Sequence, residues 1–482
     1  METFVKVFGC EVLSTDGRVL FCKVCEREIS ADKKFAVSQH VNGVRHKSLV
    51  EKKKQQTDSS SVSQMLPFLL ASGKQSQFHL DLCDAFLSSG IPLFKLDHEK
   101  LRSFFGKYVK HQVPSSSALR KNYIRSAYES KLDSIRSYVA EKFIWLSVDE
   151  TTDATGRFVA HVVVGTMETT SSRSFLLHCE SLEKTNGSTI SQVFVNSLTL
   201  LWPQQIQHDR VLLFVSDGAA YMKKAGTALK VMFPKMLHLT CTAHALHRVA
   251  EEVRLLFPKV DKLVSNGKKI FLKSASRTTA FREKAPGIPL PPQPILTRWG
   301  TWINAALYYA ENFEAFAVVV QSLDASEAAS IALAQGLLKD ESLKRDLAFI
   351  RSHLGHLPPG IEKLEKKETP LIESIGTFER VLDALEDTPG QIGDRLREKY
   401  KSVLSRNPDY GSVKAIADVL RGDIPESCNL DFSPGEIAAF KFAPLTSVDV
   451  ERSFSQLKYT LDDRRHSFTF ENLRMVLIVY CS

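Results

Sequence analysis

The sequence predicts a mixed α/β core, split by a long all-α insertion and preceded by a small zinc finger. Three observations carry that prediction. A Cys-x-x-Cys pair followed by two His lies within the first fifty residues. The apolar pattern changes from helical spacing to strand-like runs at Phe143. It returns to helical spacing from Pro258 to about Pro444. With 482 residues, the chain is long enough for about three domains.

Residues 1–50 are read as the finger. Cys22 and Cys25 are followed by His40 and His46, with gaps of two, fourteen and five residues. Zn²⁺ takes four N or S ligands in a tetrahedron, and a short Cys knuckle with two helix-borne His supplies them. So short a segment cannot build an adequate apolar core, so the metal would supply much of its folding energy. Lys33, Lys34, Arg45 and Lys47 surround the four ligands. Such cations suit phosphate contacts, and the alternative is the solvated surface of a protein-binding finger.

Residues 51–77 include EKKKQQTDSSSVSQ, polar and without apolar period, and read as a linker. Across residues 78–142, LCDAFLSSG, HEKLRSFFGKYV and SSALRKNYIRSAYESKLDSIRSYVAEK carry apolar residues three and four apart, predicting three helices. A serine at 115–117 is the expected cap of the third.

Residues 143–257 hold the first part of the core. FIWLSVDE, FVAHVVVGTME and SFLLHCESLE predict three strands, the first two joined by the turn TTDATGR. TISQVFVNSLTLLW then reads as a helix, RVLLFVSDG as a buried strand, AGTALKVMF as a helix, LHLT as a strand and CTAHALHRVAEEVRLLF as a helix. Hairpin-linked strands joined to α/β crossovers imply a mixed sheet with helices packed on it. Residues 258–440 are the helical insertion, and 441–482 return to the core with two amphipathic helices.

Two carboxylates stand out in this core. Asp149 lies inside the first strand and Asp217 at the end of the buried strand VLLFVS. A charge at the end of an apolar strand is costly to bury unless it pairs or binds a cation. If the two strands are neighbours, both acids meet at one edge of the sheet. With a third carboxylate they would hold two Mg²⁺ or Mn²⁺ ions, one activating a water or 3′-hydroxyl, the other stabilising a leaving phosphodiester oxygen. Either Asp alone reads equally well as a turn former or helix cap. Glu150 and Asp153 are assigned to turn and surface positions.

Two resemblances sharpen this reading. LFCKVCEREISADKKFAVSQHVNGVRHKSL and IPLFKLDHEKLRSFFGKYV resemble the CGG triplet repeat-binding proteins, with their BED-type finger and helical segment. That likeness implies a nuclear DNA-binding module, with residues 78–142 serving DNA binding or dimerisation. TSVDVERSFSQLKYTLDDRR resembles the C-terminal block of hAT transposases, which implies a ribonuclease H-like core and Glu451 as its third catalytic acid. Val450, Phe454, Leu457 and Leu461 form an apolar stripe beside Glu451, which also reads as a helix N-terminal acid favoured by the macrodipole.

Cys241-Thr242-Ala243-His244 matches the family's CxxH motif, and Arg298-Trp299 its Arg-Trp pair, whose Trp stacks on a flipped base. The last helices resemble the hAT dimerisation region, implying a homo-oligomer. Where the family often has an Asn after the second Asp, this chain reads Gly218-Ala219-Ala220-Tyr221. The implied activity is cutting and joining of double-stranded DNA by metal-dependent hydrolysis and strand transfer at Asp149, Asp217 and Glu451. The alternative is a domesticated, non-cutting regulator of transcription.

Composition sets the outer bounds. A formal net charge of +8 permits a polyanionic partner without demanding one. The opening residues lack a charged stretch followed by an apolar one, and no run of about 18 apolar residues occurs, so neither secretion nor a membrane span is expected. Eight scattered Cys form no disulfide framework and read as reduced thiols or metal ligands. No small-molecule substrate is expected.

Overall fold

The computed structural model describes residues 2–9, 12–15, 20–25, 27–29, 34–43, 46–47, 77–170, 173–295, 299–423, 430–461 and 468–481. The chain forms two compact units, Met1–Ser76 and Gln77–Ser482. In the first, β1 (Leu13–Thr15), β2 (Leu20–Cys22) and β3 (Arg27–Ile29) form an antiparallel sheet between the helices Glu2–Phe8 and Lys34–Asn42. Leu13 pairs with Cys22, and Leu20 with Ile29. The described core is only Leu13, Leu20, Cys22, Ile29 and Val37. So little buried apolar surface leaves a unit this small needing a further source of stability, such as a metal.

The second unit opens with the helices Gln77–Ser88, Glu99–Tyr108, Ser116–Asn122 and Ile124–Val139. The stretch read as one helix from Ser116 onward is two, with Tyr123 between them. The Ser115 hydroxyl caps the first, accepting from Ala118 N at 3.1 Å. Ile124–Val139 buries Ile124, Ala127, Tyr128, Leu132, Ile135 and Val139, one stripe at helical spacing. Its Arg136 guanidinium donates to Leu200 O at 2.8 and 3.0 Å, tying it to the helix Gly187–Leu201.

Strands follow where the apolar period changes. They are β4 (Phe143–Thr152), β5 (Phe158–Met167), β6 (Ser174–Leu182), β7 (Val211–Ser216) and β8 (Leu237–Thr240). They form one mixed sheet in the order β6-β5-β4-β7-β8. β4, β5 and β6 pair antiparallel, whereas β7 runs parallel to both β4 and β8. Every residue of β7 is buried, as parallel strands covered on both faces require. The helix Gly187–Leu201 precedes β7, its start fixed by a capping box between Asn186 and Thr189. The helix Ala220–Lys230 makes the crossover from β7 to β8.

Helices from Pro258 to Arg421 form the long insertion, which returns to the sheet at β8. There the Asn407 amide donates to Thr240 O at 2.9 Å and accepts from Thr240 N at 3.0 Å. Asp409 accepts from His238 N at 2.6 Å. β8 is an edge strand, and these two side chains satisfy backbone groups that a missing sixth strand would have taken.

The helix Val448–Thr460 then packs on β4 and β5, and Phe470–Cys481 on β6. The expected stripe buries Val450, Leu457 and Leu461, with Phe454 only partly covered. Ser453 is buried beside it, 2.6 Å from His161 Nδ1 on β5. Among the described residues, no helix is long and apolar enough to cross a membrane.

Candidate functional site

Two constellations carry chemistry, one in each unit. In the first, Cys22 ends β2 and Cys25 follows in a tight turn, its N–H donating to Cys22 Sγ at 3.4 Å. His40 comes from the helix Lys34–Asn42, and His46 from the segment after it. His46 Nδ1 lies 3.4 Å from Cys22 Sγ and 3.3 Å from Cys25 Sγ. Zinc bonds of about 2.3 Å to sulfur and about 2.0 Å to nitrogen set S···N edges near 3.5 Å in a tetrahedron. The donor set therefore fits Zn²⁺.

Among the described residues, these four are the one group of His, Cys, Asp or Glu whose ligand atoms all lie within 4.8 Å of one another. Burial holds His46 below its usual pKa, favouring the neutral ring that binds metal. Lys34 and Lys47 are exposed nearby in sequence, whereas Lys33 and Arg45 lie outside the described residues.

In the second unit, the parallel register Ser147↔Val215 puts Asp149 and Asp217 two residues further along neighbouring strands. The two carboxyls therefore face each other at the end of the sheet. Burial first, and then the charge of Asp217, push the Asp149 carboxyl up to about 8.

Glu451 arrives on the first turn of the helix Val448–Thr460, and His244 on the first turn of Thr242–Leu256. His244 Nδ1 stands 3.7 Å from Glu451 Oε1 and 3.4 Å from Ser447 Oγ. Burial pulls the imidazolium pKa down, but Cys241, Glu451 and Asp149 outweigh it and carry it up to about 10. Asp149, Asp217 and Glu451 do not close to the 4.8 Å seen in the finger.

Cys241 explains how these elements keep their places. Its N–H donates to Ser216 O at 2.8 Å, beside Asp217. Its sulfur accepts from His244 N at 3.5 Å and from Ser447 N at 3.3 Å. Thr242 donates to Leu445 O through its N–H at 2.9 Å and its hydroxyl at 3.1 Å. The CxxH stretch thus caps one helix and seats the start of the helix that carries Glu451.

Two neighbours differ from their sequence assignment. Glu150 is not at a turn or surface: it lies within β4, half-buried, and Tyr221 OH donates to its Oε1. Its carboxyl is raised by burial, with Asp217 adding to the shift. Tyr221 was visible in the sequence only as a departure from the family's Asn. Asp153 does form the turn, accepting from Thr155 N at 2.8 Å and Arg157 N at 3.0 Å, but it is buried rather than exposed.

Arg298 lies outside the described residues. Trp299 begins the helix Trp299–Glu311, and its side chain is likewise outside them. The next residue, Gly300, donates its N–H to His247 Nδ1 at 3.4 Å, one turn along from His244. That bond brings the start of this helix close to the acid site.

Two family models match parts of the chain between residues 71 and 270. A family described as the CGGBP1 helical domain matches residues 71–126. A domain of unknown function (DUF659) matches residues 114–270, a span that takes in the whole five-stranded sheet, Asp149, Asp217 and His244. The chain is 32% identical over 136 residues to CGG triplet repeat-binding protein 1 of Mus musculus, covering 26% of this chain and 79% of that relative. To the Homo sapiens protein of the same name it is 30% identical over 137 residues, with the same coverage.

Proposed function

Because the chain belongs, over 26% of its length, to the family of the CGG triplet repeat-binding proteins, we propose that it is a nuclear DNA-binding protein built on a hAT-type transposase frame. Its finger would read double-stranded DNA through Zn²⁺-ordered structure, with Lys33, Lys34, Arg45 and Lys47 on the phosphates. Its second unit would be a ribonuclease H-like core. The sheet order supports that reading: three antiparallel strands continue into two parallel ones through the central β4. The paired ends of Asp149 and Asp217 on β4 and β7 are the observation that carries a catalytic proposal.

The donor set suits a hard divalent cation, since all three acids offer carboxylate oxygens. Mg²⁺ or Mn²⁺, when bound, would activate the attacking oxygen and stabilise the leaving one. Asp149 and Asp217 would hold it from the rigid strand ends. Glu451 would complete the set from its helix, with His244 holding that carboxylate until the cation takes it. Arg298 and Trp299 would manage a displaced base. The chain would act as a homo-oligomer, because joining paired DNA ends requires more than one active site.

A second reading has its own observation. The three acids do not converge as closely as the finger's ligands, and His244 Nδ1 lies 3.7 Å from Glu451 Oε1, where it can neutralise that carboxylate. That arrangement suits a protein that keeps the frame to bind DNA and regulate transcription without cutting. The two readings separate in a cleavage assay with Mn²⁺ on DNA carrying the gene's own flanks, beside Asp149→Asn. Metal-dependent nicking that disappears in the variant supports the transposase. Salt-sensitive binding with no nicking in either protein supports the regulator.

A further inference from the structure

Between Ile91 and Arg125 the second unit carries a run of positive charge that neither site uses. Eight Lys and Arg meet only two acids there, a net +6 out of the chain's formal +8. All eight cations are exposed. Lys95, Lys100, Lys107, Lys110 and Lys121 have no ion-pair partner among the described residues. Arg102 and Arg125 form only exposed pairs, with Asp97 at 3.6 Å and Glu129 at 3.1 Å. Exposed pairs of this kind are weak and give way readily to a polyanion.

Aromatic rings stand among these cations. Phe94 is 49% exposed, Phe104 54% and Tyr108 63%. The helix Glu99–Tyr108 has no fully buried residue; only Leu101 and Phe105 lean on the core. Phe104 and Tyr108 are one turn apart, with ring centroids 5.0 Å from each other. Lys100, Phe104, Lys107 and Tyr108 fall within an arc of about 100° on the helix surface. The Lys107 ammonium lies 4.9 Å from the Tyr108 ring and the Lys95 ammonium 5.2 Å from the Phe94 ring.

Folding does not account for these rings. An apolar docking surface for a protein would not gather eight exposed cations around its rings, and a duplex clamp has no use for bare rings because duplex bases are already stacked. Unpaired bases on a flexible phosphate backbone use both features at once: each base has a face to stack and each phosphate a charge to neutralise. We infer that the helix Glu99–Tyr108, with the turn before it, is a docking surface for single-stranded nucleic acid. Phe104 and Tyr108 stack on bases, and Lys100 and Lys107 neutralise the phosphates between them. This deepens the nucleic-acid reading above by naming a second surface and the form of the ligand.

The test uses the full chain, its zinc retained, and a fluorescent short oligothymidylate titrated over a range of salt. An abasic strand of the same length, oligouridylate and a duplex are titrated alongside. The wild type should bind the thymidylate more tightly than the abasic strand. Phe104→Ala with Tyr108→Ala should lose about tenfold per ring on the thymidylate and leave abasic and duplex affinities unchanged. Lys100→Gln with Lys107→Gln should reduce the slope of log affinity against log salt by about 1.4. These positions are exposed, and an unchanged thermal melt confirms that each variant is folded.

Oligodeoxyuridylate titrated beside oligouridylate keeps the base constant, so whichever binds more tightly identifies the sugar. Equal binding of abasic and thymidylate strands, or ring variants that bind like the wild type, overturns the proposal. Loss of duplex binding alone in a finger variant bears on the finger and leaves this surface standing.

Discussion

Replacing Asp149 by Asn should stabilise the metal-free second unit while removing its capacity for a divalent cation. The folded carboxyl titrates at about 8, against an ordinary value of 3.8. Between those values the folded protein holds a proton that the unfolded chain has released. Stability therefore falls as pH rises through that window, by up to about 1.4 kcal/mol per pH unit. At pH 7 the accumulated cost has a ceiling of about 4 kcal/mol, and partial solvent access brings the expected value to about 2–4 kcal/mol. Asn has the same shape and keeps an oxygen for the Glu150 N–H, which Asp149 Oδ1 accepts at 2.9 Å.

The assay is urea unfolding with chelator present, followed by tryptophan fluorescence. All four Trp lie within Gln77–Ser482, so the signal reports that unit alone. The variant's gain should nearly vanish by pH 4, grow through pH 7 and level off above about pH 8. Adding Mn²⁺ should raise the wild-type midpoint and leave the variant's where it was. An equal gain at pH 4 and pH 7 would show that packing, not charge, is at work. No gain at pH 7 would refute the crowding of Asp149 against Asp217.

Three other perturbations have defined outcomes. Cys22→Ala, or chelation of zinc, should unfold the first unit and weaken duplex binding while the tryptophan-detected transition stays put; circular dichroism and binding titrations check both halves. His161 and His238 are pushed down to about 3 and about 4, chiefly by burial, so the unfolded chain takes up protons first as pH drops below 6.5. Stability should then fall toward pH 4 by up to about 1.4 kcal/mol per pH unit for each ring, opposite in sign to the Asp149 effect, and His161→Gln should flatten that slope in urea titrations. Asn407→Ala should leave both backbone groups of Thr240 unpaired at a cost of about 2–3 kcal/mol, read as faster hydrogen exchange in β8.

How much of this was legible in the sequence depended on how local its cause was. β4 to β8 begin and end within a few residues of the predicted runs because each is a stretch of apolar residues bounded by a clear turn or cap. The three-residue strands of the first unit were not predicted, being too short to show any period. The break at Tyr123 was hidden for the opposite reason, since apolar spacing runs through it without interruption. Asp149 and Asp217 stand out because a charge ends an apolar run. Glu451 has no such signal and was singled out only by resemblance. Glu150 and Tyr221 meet across 71 residues, and no local pattern announces that contact.

The same distinction explains how the second site survives a long insertion. Cys241 and Ser447 are 206 residues apart in sequence yet share a hydrogen bond. Closing a flexible loop of about 200 residues costs only about 2 kcal/mol more than closing one of about 20, because the entropy grows with the logarithm of length. Even that cost is not borne by the acid site. The insertion buries its own residues between Pro258 and Arg421, and Asn407 and Asp409 fasten it to β8 well before Glu451. What remains at the site is a short return from Asp409 to Ser447, anchored by Cys241, Thr242 and Leu445. The spacing between the second and third acids can therefore vary widely, while Cys241 and Ser447 cannot move apart without releasing Glu451.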